Sequence, residues 1–315
     1  MFWRALAIRL TAPAVGVALA VVILPQVIDL VGFGSLDRIR LLGERVDQLA
    51  ASGDDAGATL LVGNSVVVEG LDAATVRAAA DSKTPVRNYG LDGTSLAETE
   101  AILPRLLATQ PAHVVLVVMP THLVEVDRNA PNIDRIYDYS GLTTSANNPS
   151  TRWDTLPKLR TAPLMSLDHH LRQTLARGRR VGAEGDWSSP YRLTADLPPV
   201  ARQRNLELVE SLLKNGSAER RLRELGRIER MRIACEQAGS KLIVCRSPVH
   251  PLLRPLAGSL DKADIDLATS LDDEQFADAV HPNAAGRDRF SRSLGRALYS
   301  LSRSAATVAQ AEPIR

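Results

Sequence analysis

Cysteine is scarce in this chain. Only Cys235 and Cys245 occur in 315 residues, too few for the disulfide scaffold that staples small domains without a sufficient core. Cys245 lies in an apolar, strand-like run and Cys235 in a helical one, so the sequence predicts two buried free thiols. No cluster of Cys or His has metal-ligand spacing, and neither a metal nor a cofactor is expected. An excess of one charge is also missing. The 38 Lys and Arg against 36 Asp and Glu leave a net charge of +2, which offers no basic surface to nucleic acid. What is present is an ordinary globular composition, 45% hydrophobic and 23% charged. It leaves room for one domain of about 200–250 residues plus appendages.

Charge is absent over one long stretch. The 19 residues from Leu10 to Ile28 carry none, and a helix of that length rises about 28 Å, close to the hydrocarbon thickness of a bilayer. Arg4 and Arg9 precede it, which favours a cytoplasmic N-terminus, and Phe2 and Trp3 are placed for the interface. The reading is a single-pass membrane anchor with the rest of the chain extracytoplasmic, that is, periplasmic. A cleaved signal peptide is the alternative, but no A-x-A site follows and Gly32–Ser35 is a weak substitute. A soluble helix is the other, although Pro13 and Pro25 weaken any simple helix.

The remainder divides into a juxtamembrane helix and linker (36–57), a main domain (58–302) and a patternless tail (303–315). Within the main domain, short apolar runs alternate with amphipathic ones. Ala58–Val62, Pro85–Asn88, His113–Met119, Lys241–Cys245 and Ile265–Ala268 read as strands buried on both faces. Leu71–Ala80, Leu96–Leu107, residues 218–238 and Ala284–Leu301 read as helices. This alternation predicts an α/β fold with a parallel, doubly wound sheet, whose ligand site lies beyond the carboxyl ends of the strands. Residues 128–204 interrupt it with a polar, Pro-rich stretch containing aromatics and an Arg172–Arg180 basic cluster. It is too long for an ordinary connection and is read as an insertion, either a lid or partner surface or a surface excursion.

Two segments carry the chemistry. Asp278-Ala279-Val280-His281 places a carboxylate three residues before a histidine, so the acid can bind Nδ1–H and leave Nε2 free as a base. Gly63-Asn64-Ser65 ends the first strand and offers a nucleophile at the sheet's carboxyl edge. Taken alone, such a serine reads first as a helix cap. A third segment, Asn88-Tyr89-Gly90-Leu91-Asp92-Gly93, follows the second strand with glycines that let backbone N–H groups approach a ligand. A fourth, Met119-Pro120-Thr121-His122, ends the third strand with side chains that face the same region. His250 lies near a later strand end and is a further pocket candidate.

The order of these pieces resembles the SGNH (GDSL-like) hydrolase superfamily over about residues 58–125 and 240–300. Gly63-Asn64-Ser65 stands for that family's Gly-Asp-Ser block, and Asp278-x-x-His281 is its complete C-terminal block. The Asn-x-Gly-x-x-Gly pattern after the second strand implies Gly93 as an oxyanion donor. Asn64 replaces the usual acid, and Met119–His122 replaces Gly-x-Asn-Asp, leaving Thr121 where the oxyanion Asn would lie. The resemblance implies a three-layer α/β/α fold with a flavodoxin-like parallel sheet, here preceded by one N-terminal transmembrane helix. It also implies a Ser65–His281–Asp278 triad, with Ser65, Gly93 and Thr121 around the oxyanion and Asn64, Gly90, His122 and His250 nearby.

Anchored members of that superfamily add or remove acyl groups on cell-envelope polysaccharides, often beside a multi-spanning membrane-bound O-acyltransferase. The resemblance therefore implies a serine acyltransferase acting on an envelope polymer. An esterase of the same fold and a non-catalytic anchored partner of such an acyltransferase stand as alternatives.

Overall fold

The computed structural model describes residues 55–91, 94–124 and 199–311, except 259 and 262, together with Gly53 and two short strands. The expected membrane span at 10–28 and the juxtamembrane helix lie outside the described residues. Among the described residues, no helix is long and apolar enough to cross a membrane.

Five strands form one sheet. In chain order they are β1 (Thr59–Val62), β2 (Val86–Asn88), β3 (His113–Val118), β6 (Lys241–Arg246) and β7 (Ile265–Asp266), arranged β2-β1-β3-β6-β7. Every pairing between them is parallel. Two further strands, β4 (Arg180–Val181) and β5 (Trp187–Ser188), pair antiparallel inside the insertion. The helices are α1 (Ser65–Gly70), α2 (Ala73–Ala79), α3 (Leu96–Leu107), α4 (Pro199–Lys214), α5 (Ala218–Gln237) and α6 (Ala284–Ala311). The chain is an α/β protein, as its alternating runs predict. The tail differs in extent, because the last helix continues past Leu301 to Ala311.

The unbroken apolar character of the strands follows from burial on both faces. Leu60, Val62, Val114, Leu116, Leu242 and Val244 pack with α3 and α5 on one side of the sheet. Their neighbours Leu61, Val115, Val117, Ile243 and Cys245 pack with α1, α2 and α6 on the other. The period of two along each strand sends successive side chains into two separate cores. Cys235 and Cys245 are both buried free thiols, and burial pushes the Cys235 thiol up to about 11.

Two glycines and one asparagine fix the end of β1. Gly63 has φ +153, and a Cβ there would lie 2.7 Å from Val67 Cγ2 and 3.0 Å from the Val117 carbonyl. Only glycine lets the chain turn from β1 into α1 so close to β3. Gly90 packs against α1 itself, where a Cβ would come within 2.8 Å of Val67 Cβ. Buried Asn88, at the end of β2, donates from Nδ2 to the carbonyls of Val67 (2.9 Å) and Leu71 (3.0 Å). Its Oδ1 accepts the Gly90 N–H at 3.0 Å. One side chain therefore ties α1 to the β2 loop through three buried hydrogen bonds. Asn88→Ala is expected to cost about 2–3 kcal/mol, because it strands buried partners. The check is a urea midpoint, and an unchanged value would mean that Asn88 does not hold α1 in place.

Candidate active site

Ser65 is the first residue of α1 and is only partly buried. It does not cap the helix. Asn64 does, accepting the Val66 N–H at Oδ1 (3.0 Å), while its Nδ2 lies 3.7 Å from Met119 Sδ. With capping assigned to Asn64, the Ser65 hydroxyl is left for another partner. That partner is His281 Nε2, 2.7 Å from Ser65 Oγ and 216 residues away in sequence.

His281 is set by a short loop between a 3-10 turn at Asp273–Gln275 and α6. A bridge between Phe276 and Pro282 closes the loop, and the Ala277 N–H donates to the His281 carbonyl at 2.9 Å. Inside it, Asp278 Oδ1 accepts the backbone N–H groups of Val280 and His281, each at 2.7 Å. The other oxygen, Oδ2, lies 2.7 Å from His281 Nδ1. Burial alone would raise the Asp278 carboxyl. The hydrogen bond and charge of His281, with the two amides, outweigh it and hold the group below the usual carboxylate range. An ionised carboxylate only accepts, so Nδ1 carries the ring proton and Nε2 faces Ser65 as an acceptor.

The third predicted segment is divided. Gly93 lies outside the described residues, while Gly90 is packed against α1. At the end of β3, Thr121 is buried and its Oγ1 has no hydrogen-bond partner among the described residues. A buried hydroxyl without a partner costs about 1–3 kcal/mol, which makes it an exception needing a reason. His122 is buried beside it. Its Nδ1 accepts the Met119 N–H at 3.3 Å, and its Nε2 closes no hydrogen bond of good geometry. Burial lowers the His122 ring to about 4, against a smaller opposing effect of the Thr94 backbone.

His250 is fully buried and not part of the Ser65 cluster. Its Nδ1 accepts the Leu252 N–H (3.4 Å), its Nε2 lies 2.7 Å from Asp273 Oδ1, and its ring rests on Phe276. Burial lowers its ring below the ordinary histidine value, with Asp273 pulling the other way. His250 also lines an apolar cleft beside the site, together with Met119, Thr121, Val209, Leu213 and Val280 among others.

Sequence reasoning missed the role of α4. Asn205 Oδ1 accepts the Ala279 N–H at 2.9 Å, one residue from Asp278. Arg202 donates to Asp273 Oδ1 at 2.9 Å and to its carbonyl. The helix that closes the insertion thus meets the Asp278–His281 loop at Ala279 and the 3-10 turn ahead of it at Asp273. No sequence signal marks either contact, since both link a helix face to a loop about 70 residues on.

Compared with family models, curated proteins and solved structures, the chain matches none.

Proposed function

We propose that this protein is an extracytoplasmic, membrane-anchored serine acyltransferase of SGNH type, acting on a cell-envelope polysaccharide through an acyl-serine. The observation that carries the reading is the chain of two 2.7 Å contacts, Ser65 Oγ to His281 Nε2 and His281 Nδ1 to Asp278. A nucleophile after the first strand, a sheet ordered β2-β1-β3-β6-β7 and an Asp-x-x-His pair before the last helix agree with a flavodoxin-like three-layer fold of that superfamily.

In the proposed mechanism, His281 takes the Ser65 proton at Nε2 as Oγ attacks the acyl carbonyl. Asp278 holds the ring's orientation and balances the imidazolium charge. The Ser65 and Gly93 N–H groups and the Thr121 hydroxyl receive the oxyanion. On collapse, His281 returns the proton to the departing oxygen and the acyl-serine remains. The ring then deprotonates a sugar hydroxyl, the acyl group moves to it, and Ser65 regains its proton. The acyl donor would reach the outer face from a multi-spanning membrane-bound O-acyltransferase, with residues 10–28 as anchor.

Labelling with a fluorophosphonate tests the core of this reading, because only an activated serine reacts. Labelling that is lost in Ser65→Ala is expected, and an unlabelled native protein would leave the non-catalytic partner role. That role is favoured by the altered Met119–His122 block. Comparing water with a polysaccharide acceptor then separates esterase from transferase.

Two further outcomes follow from the same reading. Thr121→Val should lower kcat by about ten- to a hundredfold with little change in KM, since its hydroxyl acts in the transition state. An unchanged kcat would move the third donor elsewhere, with His122 the next candidate. A C-terminal alkaline phosphatase fusion should be active, as the positive residues before the span require. An inactive phosphatase with a fluorescent cytoplasmic GFP fusion would reverse the topology.

A further inference from the structure

The loop that carries the base is closed at its foot. Phe276 bridges Pro282, and the Ala277 N–H donates to the His281 carbonyl at 2.9 Å. Within it, Asp278 Oδ1 takes the N–H groups of Val280 and His281, and Oδ2 meets the ring at Nδ1. All of these partners belong to the loop or its closing bridge. The Ala279 N–H is different. Its acceptor is Asn205 Oδ1 at 2.9 Å, 74 residues earlier in the chain.

Ala279 is 1% exposed and packs in one cluster with Leu206 and Val209 of α4. Helix α4 therefore covers both the side chain and the N–H of this residue. A buried N–H has to find an acceptor, and the Asp278 carboxylate is already engaged by two amides and the ring. Without Asn205, the peptide between Asp278 and Ala279 is free to turn toward another acceptor. That peptide adjoins the Asp278 side chain, so its rotation swings the carboxylate that orients His281. The other contact of α4, Arg202 with Asp273, lies ahead of the Phe276–Pro282 bridge and so outside the closed loop.

We propose that Asn205 is a positioning residue for the proton transfer. By accepting the Ala279 N–H it fixes the Asp278 carboxylate and, through it, holds His281 Nε2 against Ser65 Oγ. The inference rests on the acyl-serine reading above and adds to its machinery a residue from outside both motif segments. Asn205 acts only through the loop, so it bears on the rate of acylation and not on the binding of ester.

The test is single-turnover acylation of the purified full chain by p-nitrophenyl acetate, read without denaturant. Leucine and aspartate are both close to asparagine in size, and only aspartate can accept the amide. Asn205→Leu should slow acylation by about tenfold or more, with the apparent dissociation constant of the ester unchanged. Asn205→Asp should keep most of the native rate. Arg202→Met, which releases Asp273 but leaves the Ala279 bond, should lower the urea midpoint while acylating at the native rate. A native rate in Asn205→Leu, or a rate in Asn205→Asp as low as in Asn205→Leu, would overturn the inference. So would equal slowing by Arg202→Met, because the effect would then belong to the docking of α4 as a whole. Asn205→Ala, which adds no bulk, answers the same question if Asn205→Leu fails to fold. In each of these cases a native protein that acylates leaves the acyl-serine reading intact. A native chain that neither acylates nor labels would overturn that reading, and this inference with it.

Discussion

Ser65→Ala and His281→Ala should each abolish acyl-enzyme formation, and combining them should lose almost nothing more. The reason is geometric. Ser65 Oγ has its proton acceptor at 2.7 Å in His281 Nε2, so either change removes the same event. Groups that act as a unit give losses of about 10⁴–10⁶ in kcat singly and jointly. Asp278→Asn should be less severe. An amide keeps the shape of the loop, but its NH₂ cannot accept the Nδ1 proton and favours the tautomer in which Nε2 is already protonated. Because Asp278 is held below the usual carboxylate range, it stays ionised well into acid, and an acid-side loss of activity near neutrality would not originate there. The measurement is single-turnover acylation by an aryl ester. Losses that multiplied in the double variant would mean that the two residues act separately.

Acid should destabilise this protein through His122 before its carboxylates are protonated. The ring is buried, and burial lowers it from the ordinary 6.5 to about 4. Its Nδ1 already accepts the Met119 N–H, so a proton added there would set donor against donor. The unfolded chain binds that proton near pH 6.5 and the folded chain only near 4, so unfolding takes up a proton between those values. Stability is full above pH 6.5 and falls as pH drops, by about 3 kcal/mol once it is below 4. The folded-state shifts of His113 and His250 have the same sign and add to the slope. Urea midpoints between pH 7 and 4 for wild type and His122→Gln are the check. The variant should lose distinctly less across that window, and parallel curves would remove His122 from the account.

The strands were legible because burial on both faces leaves unbroken apolar runs, and His113–Val118 is the clearest of them. The Asp278–His281 pair was legible because its spacing is local, three residues on one loop. Ser65 was legible only as the second of two readings, since a serine after a strand is more often a cap. Asn64 taking the cap decides between them, and no pattern in the chain ranks the two side chains in advance. Thr121 was placed by the order of segments, but its missing hydrogen bond depends on packing from β3 and its neighbours. The grip of α4 on the catalytic loop was not legible at all. Asn205 and Arg202 look like ordinary polar positions on a helix, and their partners are chosen by tertiary approach, which no local periodicity encodes.

The nucleophile follows the first strand of the sheet, and its base precedes the last helix. Between them in the chain stand four of the sheet's five strands, and α6, which follows the base, binds Asp72 at the start of α2 through Ser291 and Arg287. No fragment of the chain holds both halves of the proton transfer. Serine reactivity in this protein is therefore a reporter of global integrity. As denaturant rises, labelling of Ser65 should vanish along the same curve as the sheet's circular dichroism, with no concentration at which a partly unfolded chain still reacts.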